Sequence, residues 1–246
     1  MLLLLPLLLA GPLPESPTAF GFEPLFDGST LDAWAIPEGD NGHWQIVNLK
    51  DGPVIDYDAG SEATGDKSLQ TKRSFRNFVL ELEWRWPEPQ GLSLTPLVLP
   101  DGSYLKDKTG ERIQVPRQNP DSGIYLRGHS KAQLNLWGWP VGSGEMYGYR
   151  HAASHPPEQR AAVTPLMRAD RPYGEWNKFT VVLQDRELTV LLNDHTIMDR
   201  ITLPEDLPEE GPIVLQHHGG RDAEGNLRAS SSVVQFRNIF IKELPE

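Results

Sequence analysis

The sequence predicts an all-β fold built as one sandwich of two sheets. Short apolar alternations separated by turn residues recur about every ten residues from Phe20 onward, a spacing typical of sandwiches and barrels. Glycine and proline number 22 each among 246 residues, and this content of turn-forming residues is typical of many strands joined by turns. No segment of convincing length has helical periodicity. We therefore expect roughly ten to thirteen strands, no substantial helix and a single domain over residues 20–246.

The first half of the chain contains the clearest strand. Asp27-Gly28 and Asp51-Gly52 mark turns around the first two strand segments. In the following SFRNFVLELEWRW, large apolar residues from Phe78 to Trp86 alternate with Val79, Glu81, Glu83 and Arg85. This pattern predicts a half-buried strand. The Pro-rich residues 87–121 then read as an insertion that packs on the rim, with turns near Asp101-Gly102 and Thr109-Gly110.

The second half predicts further strands with one apolar and one polar face. SGIYLRG sets Tyr125 and Arg127 opposite its apolar residues, and AQLNLWGW does the same with Gln133, Asn135 and Trp137. Residues 142–175 read as a long loop, and a meander with a turn at Asn193-Asp194 follows. In the last two strands, Gln216 and His218 share one face, and Gln235 and Arg237 share a face of the next strand.

Composition excludes several classes of function. Lys plus Arg is 23 and Asp plus Glu is 34, which gives a net charge of −11. No Lys/Arg run stands out, so a nucleic-acid partner is not expected, since phosphate contacts need clustered cations. The chain has no cysteine, which rules out disulfides, thiol catalysis and a lipidated-cysteine anchor.

The N-terminus resembles an export signal. MLLLLPLLLA is almost wholly apolar, and the Pro-rich GPLPESPTA follows it. The apolar run is too short to span a bilayer but fits the hydrophobic region of a secretory signal peptide. We interpret residues 1–19 as a signal peptide and Pro-rich leader. The mature chain is then expected in the periplasm or outside the cell, without a membrane span.

The polar strand faces carry groups suited to a sugar ligand. Carboxylates and amides bind pairs of hydroxyls, and arginine supplies a rigid donor fork. A merely solvated face would carry more lysine. We predict a carbohydrate site in which these side chains converge inside one curved hollow. The candidates are Glu83, Arg85, Tyr125, Arg127, Gln133, Asn135, Trp137, Gln216, His218 and Arg237.

Two other chemistries, a double-displacement glycosidase and a divalent-metal site, have weaker support in these residues. Glu81 and Glu83 lack the E-x-D-x-x-E pattern of retaining glucanases, and the adjacent Arg85 favours charged carboxylates over a proton-donating acid. A double-displacement glycosidase is therefore disfavoured. His217 and His218 could contribute to a divalent-metal site, although adjacent strand residues point oppositely, so at most one would serve.

Several motifs in order resemble one known family. They are FEPLFDGSTLDAW, F-x-L-x-x-E-W-R from Phe78 to Arg85, SGIYLRG, GEWN, LLND, and GPIVLQHHG with VQFRNI. Over residues 20–244 the chain resembles the domain-of-unknown-function 1080 (DUF1080) family, which is associated with 3-keto-disaccharide (3-keto-glycoside) hydrolase activity. The resemblance implies a concanavalin A-like jelly-roll sandwich. The chain departs from the family at the 87–121 insertion, at Asp121, which replaces an asparagine, and at Asn135, which replaces an aspartate.

The resemblance also implies a reaction. A ketone at C3 makes the C2 proton acidic, so a base can remove it, the aglycone leaves C1, and water adds afterward. His218 or Glu83 would be the base and Arg127 or Arg237 would stabilise the enolate, a task that a metal could also fill. Gln216, Asn135 and Tyr125 would position hydroxyls. The alternatives are a non-catalytic carbohydrate-binding module, and a structural or surface-interaction domain that uses the Pro-rich insertion as its contact element. The oligomeric state is left open.

Overall fold

A computed structural model describes residues 17–40, 42–57, 66–89, 91–152, 155–219, 224 and 233–245. Most of the expected leader lies outside the described residues. The strands are β1 Glu23–Phe26, β2 Trp34–Ala35, β3 Trp44–Leu49, β4 Gly52–Tyr57, β5 Leu69–Thr71, β6 Phe78–Arg85, β7 Leu92–Pro96, β8 Gln114–Gln118, β9 Asp121–Tyr125, β10 Gln133–Trp137, β11 Asn177–Gln184, β12 Glu187–Leu192, β13 His195–Thr202, β14 Val214–Leu215 and β15 Gln235–Glu243. The helices are α1 Tyr147–Arg150 and α2 Pro157–Ala162, with 3-10 turns at Pro17–Phe20, Leu126–Gly128 and Ser130–Ala132.

Two antiparallel sheets stack around one core, which confirms the predicted sandwich. The large sheet has the order β13-β12-β11-β6-β15-β4-β3, with β1 pairing on β15. The small sheet has the order β10-β9-β14-β5-β2. One apolar cluster joins Leu80 and Leu82 of the large sheet to Ile124, Leu134 and Leu215 of the small sheet. The inner faces therefore meet, and the outer faces of the two sheets point away from each other.

Strand β6 shows how the sequence sets these faces. Phe78, Leu80, Leu82 and Trp84 are buried, and the residues between them are only partly buried. Each fully buried side chain of this size contributes about 1.5–3 kcal/mol relative to exposure. The predicted half-buried strand is confirmed. Because β6 lies between β11 and β15, its outer residues lie in the middle of the large sheet.

The connections largely follow the turn residues. Asn193 and Asp194 have φ of 52° and 66°, as a tight hairpin between β12 and β13 requires, so the predicted turn is confirmed. The insertion contains the β7–β8 hairpin and two small bridged turns, Val98 with Tyr104 and Lys106 with Arg112.

The segment predicted as a long loop over residues 142–175 contains both short helices, so that prediction is partly wrong. The tip of the insertion packs on the first of them, where Arg150 Nη1 donates to the Gly102 carbonyl at 3.2 Å. Helices of four and six residues are too short to give a helical periodicity in the sequence. None of the described helices has the length and apolar character needed to cross a membrane.

The last two strands lie in different sheets, which corrects the expected convergence of their polar side chains inside one hollow. β14 pairs with β5 and β9 in the small sheet, whereas β15 pairs with β1, β4 and β6 in the large sheet. Alternation fixes the face of a strand on which a side chain lies, but not the sheet that the strand joins. The polar groups of the two strands therefore face opposite sides of the molecule.

Candidate functional site

The outer face of the small sheet gathers most of the predicted polar residues. In the register of β9 and β10, Gln133 lies opposite Tyr125, Asn135 opposite Gly123, and Trp137 opposite Asp121. The N–H of Gln216 donates to the Gly123 carbonyl at 2.8 Å and so extends β14 along the same face. We call this surface the small-sheet face. It comprises Asp121, Tyr125, Gln133, Asn135, Trp137, Gln216 and His218.

Asp121 and His218 form an acid–base pair on this face. Their Oδ2 and Nε2 atoms are 3.8 Å apart, and the side chains are 22% and 39% exposed. Burial raises the pKa of Asp121 to about 6, although the positive charge of His218 acts in the opposite direction. A carboxyl that titrates near neutral pH beside an imidazole can take up and return a proton on a bound ligand.

An amide cluster lies beside this pair. Gln133 Nε2 donates to Gln216 Oε1 at 2.7 Å, and a Cβ at position 123 would come within 2.1 Å of that Nε2. Glycine at 123 therefore lets the Gln133 side chain lie across β9. Burial raises the pKa of Tyr125 to about 12, so its hydroxyl stays protonated and can donate. These groups suit neutral hydroxyls and a carbonyl oxygen.

Aromatic rings border the same face. Trp137 and Trp139 stack with centroids 4.1 Å apart and planes at 4°, and Tyr147 meets both edge-on. Tyr147 in turn stacks on His151 at 4.9 Å. Trp137 itself is 5% exposed, so the partly exposed rings of Trp139 and Tyr147 offer the apolar surface beside the polar groups, an arrangement suited to the face of a sugar ring.

A buried ion pair supports this aromatic border. Glu145 and Arg150 are paired and almost wholly inaccessible to solvent, and the Arg150 guanidinium lies 4.7 Å from the Tyr104 ring and 5.4 Å from the Tyr147 ring. Burial raises the pKa of Glu145 to about 7, against the opposing charge of Arg150. Among the described residues, Glu145 Oε2 and Asn135 Nδ2 are buried polar atoms without a hydrogen-bond partner.

Glu83, Arg85 and Arg237 lie elsewhere, on the outer face of the large sheet. Arg237 Nε bonds Glu83 Oε2 at 2.6 Å, and both arginines lie over the Trp176 ring at 4.4 and 4.0 Å. The expected convergence of these three side chains with His218 is wrong, because the core separates the two outer faces. Their contacts form a surface network that includes Asp51, which pairs with Arg85 at 3.1 Å.

Arg127 also fails to reach the small-sheet face. The strand ends at Tyr125, and Arg127 has φ of 50° within a 3-10 turn, so the alternation no longer applies. Its side chain is buried and donates to the Arg76 carbonyl at 2.8 Å and the Pro208 carbonyl at 2.9 Å. The guanidinium therefore links the backbone of two loops, at Arg76 and Pro208. Its hydrogen-bond donors are directed to these carbonyls and not to a ligand on the small-sheet face.

The two adjacent histidines have different surroundings. His217 contacts the Tyr57 ring at 5.0 Å and accepts from the Lys67 N–H at Nδ1, and burial lowers its pKa. Only His218 belongs to the small-sheet face. Within the part of the chain that the structure describes, no three His, Asp or Glu side chains are grouped as metal ligands.

Two residues of this site, Asp121 and Glu145, are not among the candidates that the sequence predicts. Asp121 stands where the family has an asparagine, and its position two residues before Gly123 places it on the polar face of β9. Glu145 lies within residues 142–175, the predicted loop, where no periodicity marks a buried carboxylate.

Comparisons with known proteins agree with this fold. Residues 21–242 match the family described as the 3-keto-alpha-glucoside-1,2-lyase-like domain. Two "putative glycosyl hydrolase" structures from Parabacteroides distasonis superpose on the chain, each with a TM-score of 0.52. One is 22% identical, with 89% of this chain and 82% of that chain covered. The other is 18% identical, with 95% and 98% covered. A search of curated proteins found no match to this sequence.

Proposed function

Because the chain belongs to the 3-keto-alpha-glucoside-1,2-lyase-like domain family, we propose that it cleaves 3-keto-glycosides at the small-sheet face. Membership confirms the family resemblance read from the sequence motifs. The observation that carries the proposal is the pair of Asp121 and His218 at 3.8 Å. It provides a proton acceptor on the face that also carries neutral hydroxyl-binding groups.

The proposed reaction is an elimination followed by hydration. The base removes the C2 proton, and the electron pair of that bond moves toward the C3 carbonyl to give an enolate. The enolate then expels the aglycone, so the C1–O bond breaks with its electrons on the departing oxygen and a C1–C2 double bond forms. Water adds across that bond, and the net result is hydrolysis. No oxocarbenium ion is needed, so no second catalytic carboxylate in the glycosidase arrangement is required.

Each role falls to a residue of the small-sheet face. His218 is the base, and the charge of the Asp121 carboxylate, 3.8 Å from Nε2, stabilises the imidazolium that forms. The protonated Tyr125 and the amide groups of Gln133 and Gln216 donate to the C3 oxygen and the sugar hydroxyls. Asn135 and Trp137 are only 4% and 5% exposed, so the predicted direct contacts of these two residues with the sugar are corrected to support of the face from within, and the partly exposed Trp139 ring offers the aromatic contact. Because the described residues group no three metal ligands, no step is assigned to a divalent cation, and activity before and after EDTA treatment tests this.

The function is tested by aglycone release from a 3-keto-glucoside and from its unoxidised parent. We expect release from the keto sugar alone, because only the ketone acidifies the C2 proton. Saturable binding of both sugars without turnover of either would contradict the proposal and support a carbohydrate-binding module instead. That second function is favoured by one observation, the stacked Trp137 and Trp139 pair.

Activity is expected to fall as the pH drops through about 6, the pKa to which burial raises Asp121. Below that pH the Asp121 carboxyl is protonated and no longer stabilises the imidazolium. The active form of the protein, in which Asp121 is ionised, is then lost. The measurement is kcat against pH. Asp121→Asn should lower kcat and shift the midpoint of this acid limb. An unchanged limb in the variant would assign the titration to another group.

Glu83→Gln is expected to leave kcat within about twofold of the wild type. The ion pair of Glu83 with Arg237 is partly exposed and lies on the outer face of the large sheet, where such pairs contribute about 0.2–1 kcal/mol. A small fall in the urea midpoint is the expected effect. A large loss of kcat in a folded Glu83→Gln protein would place the catalytic base on the large sheet.

We also propose that the protein is exported and loses the leader that residues 1–19 represent. The apolar run of the first ten residues supports this proposal. N-terminal sequencing of the protein recovered outside the cytoplasm tests it, and a recovered chain that begins at Met1 would contradict cleavage.

A further inference from the structure

A cavity of about 210 Å³ opens at the end of the sandwich, where β6 and β10 finish. Four aromatic side chains and two arginines line it, namely Trp84, Trp86, Trp137, Tyr173, Arg168 and Arg171. We propose that this cavity binds an aromatic, phenol-type aglycone of the glycoside. The inference rests on the proposed function and names the substrate class of the same site.

The size and lining of the cavity favour one planar ring. Pockets for drug-sized ligands run from about 300 to 1,000 Å³, so this cavity is suited to a single ring. Trp84 and Trp86 meet edge-on at 6.1 Å, and Trp84 stacks on Phe179 from the core side. The walls are therefore fixed by packing, and an aromatic guest would meet preformed aromatic surfaces.

A hydrogen-bond donor in the wall is unused. Trp84 is 1% exposed, and its Nε1 is a buried atom without a partner among the described residues. An indole N–H can only donate, and leaving it unpaired in the interior is costly. Since Trp84 Nε1 is inaccessible to solvent, an oxygen atom bound in the cavity would accept its hydrogen bond as the indole edge turns slightly toward the cavity.

The charges of the cavity match an oxygen that becomes negative. Arg168 and Arg171 line it together with one carboxylate, Asp170. Asp170 lies 3.5 Å from Arg168 and also accepts from the Ser143 N–H, which leaves a net positive lining. In the elimination the C1–O bond breaks and its electron pair stays on the aglycone oxygen. That oxygen leaves as a phenolate and later takes a proton from solvent.

Trp137 connects the cavity to the proposed base. It lines the cavity and lies directly opposite Asp121 in the register of β9 and β10, and such cross-strand neighbours have Cβ atoms about 4.5–5.5 Å apart. A sugar ring over Asp121 and His218 would therefore place its C1 substituent at the cavity.

The test uses the full ¹⁵N-labelled chain and 4-nitrophenol as the probe. The indole N–H of Trp84 is identified among seven tryptophans by its NOEs to Phe179. We expect a saturable shift of that signal, and a Kd about threefold to tenfold weaker in Trp84→Phe, which keeps a ring but loses the donor. An unmoved Trp84 signal in the wild-type protein would overturn the proposal, and this measurement needs no variant.

Trp34→Phe is the matched control, because Trp34 is equally buried but already donates to the Leu25 carbonyl at 2.8 Å, outside the cavity. It should leave the Kd for 4-nitrophenol unchanged. Equal weakening in both variants would overturn the specific role of the cavity and indicate general destabilisation.

Turnover measurements distinguish failure of the aglycone proposal from failure of the proposed function. The KM for a 4-nitrophenyl 3-keto-glucoside should be below that for the methyl 3-keto-glucoside, and Trp84→Phe should raise only the former. Turnover of both substrates with equal KM and no Trp84 shift would refute the aglycone cavity alone. A Trp84 shift without turnover of either substrate would refute the proposed function and leave a phenol-binding cavity.

Discussion

His218→Ala is expected to lower kcat for 3-keto-glycoside cleavage by about 10²–10⁴-fold, the range that a positioned general base contributes. His218 is the imidazole of the small-sheet face, and Asp121 lies 3.8 Å from it. No other described residue on that face combines an imidazole with an adjacent carboxylate. KM should change much less than kcat, because the sugar hydroxyls are held by Gln133, Gln216 and Tyr125. Steady-state kinetics with the 3-keto-glucoside and with its parent measure the effect.

His195→Ala provides the matched control. His195 is exposed at the start of β13, on the large sheet, so the same substitution there should leave kcat unchanged. A His218→Ala protein that is folded and retains wild-type kcat would remove His218 from the reaction. Asp121 would then be the next candidate for the base.

Arg150→Met is expected to reduce the free energy of unfolding by about 3–5 kcal/mol, the cost of leaving a buried charge without its partner. Arg150 and Glu145 are both buried and paired, and Arg150 also donates to the Gly102 carbonyl of the insertion. Urea unfolding monitored by tryptophan fluorescence measures the loss. The Glu145→Gln, Arg150→Met double variant should recover much of it, because no unpaired charge then remains.

The loss in Arg150→Met should also depend on pH. Burial already raises the pKa of Glu145 to about 7 with Arg150 present, and removing the cation raises it further. A group whose pKa is higher in the folded state favours folding at low pH, and this contribution is lost as the pH rises through the folded pKa. The variant should therefore be least stable above pH 7 and partly recover below it. A loss that does not vary between pH 5 and 8 would contradict an uncompensated Glu145 carboxylate.

Strand faces could be predicted from the sequence because alternation is local. The burial of Leu80 and Leu82, and the outward direction of Tyr125 and Gln133, follow from period-two patterning alone. The assignment of β14 and β15 to different sheets could not, since it depends on pairing between residues far apart in the chain. Because β15 pairs with β6 in the large sheet, with Arg237 opposite Glu83, these two residues lie on the opposite side of the molecule from His218.

Arg127 and Glu145 show where prediction from local sequence patterns fails. Arg127 fits the alternation of SGIYLRG, but a single positive φ turns it into the interior, where it satisfies carbonyl groups instead of a ligand. Glu145 lies in an irregular segment with no period, and only its pairing with Arg150 in three dimensions reveals its burial. Both cases depend on tertiary contacts that no sequence window contains.

The most direct test of the proposed elimination is deuterium incorporation at C2 during cleavage in D₂O. If a base removes the C2 proton before the aglycone leaves, NMR of the released 3-keto sugar should show deuterium at C2. The incorporation should exceed that of the same sugar incubated without the protein. Aglycone release by the wild-type protein with protium retained at C2 would contradict the elimination and indicate direct displacement at C1.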